Sequence, residues 1–242
     1  MSSQPSGRCV NSSRASARRR ERVKSLLRAA AFAFIATAAL PVHAQAQSLA
    51  TPLSSAVGLC GQLDNAYGPY DFRSDKHKLD IVERFHFTPQ VETLQRGQSG
   101  SLGSDLDYTL RAFPNHHRAL YAMMRLAERS PAWQAKGARY PSECYFVRAV
   151  RFRPDDAQVH ALYAFYLMKR KRPDEARRQL EEAAKLDPKD PQVLYNIGLG
   201  YADLKDYGKS LEFAHKAYGA GIAFEGLRER LRAAGHWREA KN

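Results

Sequence analysis

Hydrophobic and polar positions divide the chain into three stretches. Ala29 to Leu40 is an unbroken uncharged run, AAAFAFIATAAL. Residues 48–104 carry a weak pattern. Gly58, Gly61, Gly68 and Pro69 make 58–73 turn-rich, with Tyr67, Tyr70 and Phe72 interleaved. Leu79, Val82 and Phe85 suggest a short helix, and Thr88-Pro89 through Gln95 suggests another. Gly97–Gly103, GQSGSLG, reads as a flexible loop. From residue 105 the apolar positions follow helical spacing, ending with Phe224, Leu227 and Leu231 on one face of a last helix closed by Gly235.

The helical stretch repeats itself. Ala149, Ala183 and Ala217 fall at equal intervals, Pro154 and Pro188 are separated by the same interval, and Ser142, Ala176 and Ser210 keep that register. Leu120, His160 and Leu194 align once a short insertion is allowed. Small residues recurring in one helix let its neighbour approach closely, and large apolar residues fill the remaining space. Asp190-Pro191 and Arg172-Pro173 place proline at a first helical position, where its missing N–H costs little. Asp174 and Glu175 add negative charge at a helix start, which suits the dipole.

Paired helices with a 34-residue period resemble the tetratricopeptide repeat (TPR) family. Residues 190–218 carry the resemblance best, through Leu194, Ile197, Gly198, Tyr201, Tyr207, Ser210, Ala214 and Ala217. Residues 155–188 match through Ala164, Leu167, Ala176, Leu180, Ala183, Leu186 and Pro188. The repeat before them, about 115–154, is degenerate, with about six extra residues near Pro131–Gly137, and Asp105–Phe113 resembles the second helix of a still earlier one. The resemblance implies an all-α fold, a short TPR-type helical-hairpin solenoid with a loop-rich N-terminal cap and a C-terminal capping helix. The expected division is 1–46 a signal peptide, 47–104 a cap or binding segment, 105–222 about three repeats, and 223–242 the capping helix and tail.

The formal net charge of +13 looks like a nucleic-acid signature until its location is read. Residues 1–44 hold eight Lys/Arg and one acid, leaving a mildly basic remainder of +6. A basic run ending at Arg28, the apolar core, and Val42-His43-Ala44 overlapping Ala44-Gln45-Ala46 are the marks of an export signal cleaved near Ala44 or Ala46. Twelve helical residues span roughly 18 Å, short of the ~30 Å hydrocarbon core, so an inner-membrane anchor is the secondary reading. A periplasmic protein is expected, with no membrane span after processing.

Cys9 lies in the leader; Cys60 and Cys144 remain. An even pair in an oxidising compartment favours a disulfide, with two buried free thiols or a reactive thiol beside a histidine as alternatives. No HExxH, GxSxG, Walker A or GxGxxG motif occurs, so neither a catalytic residue nor a cofactor is proposed. His116-His117 point in different directions on a helix, and nothing in the spacing of His77 and His86 makes a metal site with them. Asp105 and Asp107 with Glu83 read as solvated acids rather than paired carboxylates.

By resemblance, the first helix of each pair lines a concave face. That face would show Arg118, Tyr121 and Arg125, then Gln158, Phe165 and Lys169, then Gln192, Tyr195, Asn196 and Leu199. Asn196 matches a position where the family often uses asparagine to hold a peptide backbone; the family's carboxylate-clamp set is not reproduced. Aromatic residues beside Arg and Lys suit an extended acidic peptide. The expected function is an envelope adaptor binding a protein or peptide. The alternatives are an enzyme or enzyme subunit with chemistry around Cys60, or a module for an anionic surface polymer or lipid, to which the basic strip Lys169–Arg172 with Arg177 and Arg178 would contribute. Nucleic acid is disfavoured.

Overall fold

The computed structural model describes residues 58–240; the leader lies outside them. Among the described residues there is no strand, and from residue 76 on there are ten helices: α1 (Lys76–Phe85), α2 (Pro89–Glu92), α3 (Leu102–Ala112), α4 (His117–Glu128), α5 (Ser142–Phe152), α6 (Ala157–Lys169), α7 (Pro173–Lys185), α8 (Pro191–Asp203), α9 (Tyr207–Gly219) and α10 (Gly226–Ala233). None of them is long and apolar enough to cross a membrane. The fold is a stack of helical hairpins. α6 packs on α7 and α8 on α9, while α4, α6 and α8 lie side by side as an inner layer.

Side chains fix where these helices begin. Asp156 accepts from the Val159 N–H at the start of α6, Asp190 from Gln192 and Val193 at α8, and Asp206 from Lys209 at α9. The turns inside the two regular repeats share one geometry. Lys171 and Lys205, equivalent positions of successive repeats, are both left-handed at φ 59°. In each turn the next N–H returns to a carbonyl five residues back, Arg172 to Leu167 and Asp206 to Tyr201, both at 2.9 Å. Contact between layers runs through small residues: Ala149, Ala176, Ala183, Ala214, Ala217 and Ser210 are fully buried. The Ser210 hydroxyl donates to the Gly198 carbonyl at 2.9 Å.

The degenerate repeat departs from this regularity. Its two helices are shorter, so its extra residues sit in a thirteen-residue connection, 129–141, rather than a three-residue turn. Trp133 and Gly137 adopt positive φ there, and Ala135 is buried with its N–H donating to Ser142 Oγ at 3.1 Å. Gly103 in α3 abuts this connection so closely that a Cβ would lie 2.2 Å from the Lys136 carbonyl oxygen.

Residues 58–60 are helical, and 61–75 run irregularly over α3 and α5. A disulfide joins Cys60 to Cys144 at the start of α5, with Cα atoms 5.0 Å apart. The reactive thiol expected of Cys60 in the enzyme alternative is thereby corrected, since both sulfurs are bonded and buried. Beside the disulfide, buried Arg148 donates to the Cys60 and Gln62 carbonyls at 3.0 and 2.5 Å, and its guanidinium lies over the Tyr140 ring.

Several expectations for this half of the chain are revised. Phe85 is exposed, and Phe87 takes the buried position instead because the chain leaves helical geometry at His86. Residues 97–103 are not a free loop. The Gln98, Ser99 and Gly100 N–H groups converge on the Asp105 carboxylate, which His86 Nδ1 also meets at 3.0 Å, and Leu102 and Gly103 already belong to α3. Asp105 and Asp107 are buried rather than solvated, each among its own donors. Asp107 accepts from Tyr145 Oη at 2.5 Å and Arg111 Nε at 2.9 Å. At the other end, α10 starts only at Gly226. Leu227 and Leu231 are buried while Phe224 lies before the helix and is exposed.

Gly103→Ala sets helix propensity, worth up to about 1 kcal/mol in favour of alanine, against a backbone clash that the 129–141 connection must move to relieve. Overpacking of this kind costs about 1–3 kcal/mol. The variant is expected to melt below the wild type; a higher melting temperature would mean the connection yields freely.

Candidate functional site

The inner faces of α4, α6 and α8 line an open groove of about 1250 Å³. The two regular repeats contribute in strict register. Gln158, Leu162, Phe165 and Lys169 of α6 correspond, one repeat on, to Gln192, Asn196, Leu199 and Asp203 of α8. α4 adds Arg118, Tyr121, Met124, Arg125 and Glu128, and α2 adds Glu92, with Thr93 just after it. The floor is apolar, built from Met124, Leu162, Phe165, Met168, Val193 and Leu199, while charged groups form the rim.

The structure brings Arg118, Tyr121, Arg125, Phe165, Lys169, Asn196 and Leu199 together, with Gln158 and Gln192 beside them. Tyr195 does not join them. It is buried against the C-terminal end, where its hydroxyl accepts from the Leu227 N–H at 3.1 Å and its ring meets Phe224 edge-on. One residue along a helix is a rotation of about 100°, and that turn carries Tyr195 away from the Asn196 face toward α10. Ala161, the equivalent position on α6, is buried as well.

The cations of the rim differ in what they face. Arg118 forms a two-pronged pair with Glu92, Nε to Oε1 at 2.7 Å and Nη2 to Oε2 at 2.5 Å, and reaches Glu83 at 3.3 Å. Its hydrogen bonds with Glu92 raise the Arg118 pKa and hold the Glu92 carboxyl below its ordinary range. Lys169 reaches across from α6 to Glu128 of α4 at 2.7 Å. Arg125 has no carboxylate within ion-pair distance among the described residues, and its guanidinium lies 5.8 Å from the Tyr121 ring centre. Across the floor, Gln192 Nε2 donates to Asn196 Oδ1 and Asn196 Nδ2 donates to Gln158 Oε1, both at 3.1 Å. This amide ladder offers further donors and acceptors to a bound chain.

One end of the groove is tied into a buried polar cluster. His117, on the groove lining, places Nε2 2.9 Å from Asp156, the N-cap of α6. Asn115 donates to both Asp71 and Asp156, at 2.7 and 3.0 Å, and Arg73 lies against both aspartates. Burial alone would raise the Asp71 carboxyl; hydrogen bonds from Arg73 and Asn115 bring it down to about 2. His116 is buried, stacked on Phe72 and edge-on to Phe87. Its Nδ1 accepts from the Ala119 N–H at 3.2 Å as the N-cap of α4, leaving Nε2 to carry the proton toward Glu83 at 3.4 Å. Burial pushes the His116 pKa below its ordinary 6.5, against the opposing pull of Glu83.

The basic strip of the middle repeat breaks into separate pairs. Arg172 is fixed by Glu143 and Glu175, Arg177 by Asp206, and Arg170 lies over Trp133. Among the described residues no cluster of His, Cys, Asp or Glu is arranged to hold a metal ion.

The floor residues Met124, Leu162, Met168 and Val193 and the acids Glu92, Glu128, Asp190 and Asp203 were not picked out from the sequence. The repeat register carried the signal for two of them, since Leu162 aligns with Asn196 and Asp203 with Lys169. Nothing local marked Glu92, which arrives from outside the repeats.

Residues 157–204 match the family model of the tetratricopeptide repeat. The match runs from the start of α6 to the turn after α8 and supports a tetratricopeptide repeat protein, as do the stacked hairpins. Searches of curated proteins and of solved structures return no match.

Because the folded protein keeps His116 neutral to a lower pH than the unfolded chain does, the unfolded state takes up the proton first. Stability present above pH 6.5 is therefore lost as the pH falls below it. Asp71 acts in a separate window, below about pH 4. In melting curves between pH 7.5 and 5, His116→Asn, whose amide oxygen can still cap α4, is expected to flatten the decline. Parallel wild-type and variant curves would remove His116 as its source.

Proposed function

We propose that this chain is an exported adaptor of the bacterial envelope that holds a peptide or protein segment in the concave groove. Tetratricopeptide repeats suggest a protein-interaction module, and one observation carries the finer reading. Three helices present an apolar floor, a charged rim and an amide ladder along a single open channel. A channel of about 1250 Å³ exceeds the ~300–1,000 Å³ typical of small-molecule pockets. Its amide groups suit a partner with its own backbone donors and acceptors, and its apolar floor rewards burial of side chains, at about 25 cal/mol per Å² of apolar surface.

Export rests on the leader pattern of residues 1–46 and is supported by the Cys60–Cys144 disulfide, a bond at home in oxidising compartments. An anionic polymer draws less support, because Lys169, Arg172 and Arg177 of the basic strip that would attract it are paired within the chain.

Two measurements test this reading. Amino-terminal sequencing of the protein recovered from an envelope fraction should find a chain beginning just after Ala44 or Ala46; an intact start at Met1 would overturn the cleaved leader. Affinity capture from an envelope extract should recover a partner with the wild type that is lost with Arg125→Glu/Lys169→Glu, the fold being checked by circular dichroism. Identical recoveries by both would move the working surface away from the groove.

A further inference from the structure

We infer that the groove takes a peptide segment with a single acidic side chain in mid-segment, paired by Arg125 and flanked by apolar side chains. This rests on the groove reading above and makes it specific.

The charge complement of the groove leads to it. Each rim acid already has a partner inside the protein: Glu92 holds Arg118, Glu128 holds Lys169, and Asp203 faces Arg230. Asp190 accepts from the first N–H groups of its own helix. Two of the three rim cations are matched by these acids, and among the described residues Arg125 alone is not. Among the described residues the one rim cation without a carboxylate partner is therefore the Arg125 guanidinium. A ligand carboxylate at Lys169 or Arg118 competes with an internal acid; at Arg125 it meets no such competitor.

The surroundings of Arg125 make such a pair effective. Tyr121 lies 5.8 Å from the guanidinium, and both residues are exposed on the groove, so the fork is accessible to a ligand beside an aromatic ring. A carboxylate can then bind two-pronged, with more geometric constraint than a lysine imposes. Met124, Phe165 and Leu199 line the same channel and call for apolar side chains next to the acid; methionine there adapts to several shapes. The lining continues past Arg125 in both directions, to Thr93 beyond α4 and to Asn196 on α8. A bound chain therefore passes over Arg125 instead of ending there, which assigns the carboxylate to an Asp or Glu side chain.

The test is a selection of random peptides displayed between fixed flanking linkers, so that none offers a free terminus, against the purified protein. The expected winners share one Asp or Glu between apolar residues and lose binding to Phe165→Ala. A synthetic winner should weaken about fivefold or more when its acid becomes the amide, and equally with Arg125→Gln, the two losses failing to add. Lys185→Gln, which removes a positive charge on α7 outside the groove, should change affinity less than about twofold. Winners that need Phe165 but carry no acid, or that bind Arg125→Gln undiminished, overturn this inference and leave the groove reading standing. Winners indifferent to Phe165→Ala, or no winners, overturn the groove reading and the inference with it.

Discussion

Close approach of one helix to the next, at positions that admit nothing larger than alanine or serine, is the constraint on which the rest of this structure depends. Ala149, Ala183 and Ala217 return once per repeat at the contact between layers, and Ala176 and Ser210 repeat at a second point. A leucine at any of these positions would force neighbouring helices apart, at a cost of about 1–3 kcal/mol. With backbones this near, the larger side chains are left two places to go. Leu167, Leu180, Ile197 and Tyr201 fill the layer between hairpins, and Phe165, Met168 and Leu199 emerge on the inner face. The groove is thus a consequence of the packing rule.

The N-terminal half meets the same need for a covered end by different means. Phe87, Val91, Leu94, Leu106 and Leu110 join the main core, the separate cluster of Leu79, Val82, Ala112 and Phe113 is small, and polar groups add to the fit. Asp71, Asp105, Asp107, Asn115 and Asp156 are all buried, and each has several donors or acceptors around it. Such networks bind strongly to one arrangement, since leaving a buried member unpaired costs about 1–3 kcal/mol. Their position also bears on the groove. Glu83 links the buried His116 to Arg118 on the groove, and Asp156 links the cap to His117 on its lining. The segment that closes the stack also sets the charge at one end of the channel.

Internal pairing decides what chemistry the groove presents. Counted as residues, the rim looks rich in charge of both signs; counted after pairing, it presents an apolar floor, a short amide ladder and Arg125. Exposed ion pairs such as Lys169–Glu128 contribute little to stability, yet they leave two of three cations without a vacancy for a ligand.

The chain by itself determined the elements that depend on local rules and on period. Helix starts, the repeat, the small-residue contacts, the hairpin stack and about half of the groove face were legible, because each regular repeat meets the same neighbours at the same spacing. What the tertiary structure decided lies where the neighbours change. Tyr195 leaves the groove because the last repeat meets α10 in place of another hairpin. Phe85 yields its buried place to Phe87, and the amides of GQSGSLG fold onto Asp105 five to seven residues on, a carboxylate that His86 also meets from the end of α1. Pairing is decided in the same way. Glu92 reaches Arg118 across 26 residues and Lys169 reaches Glu128 across 41, distances over which no periodicity operates. Periodicity describes a residue's own helix face; which opposite charge stands across from it is a property of the assembled fold.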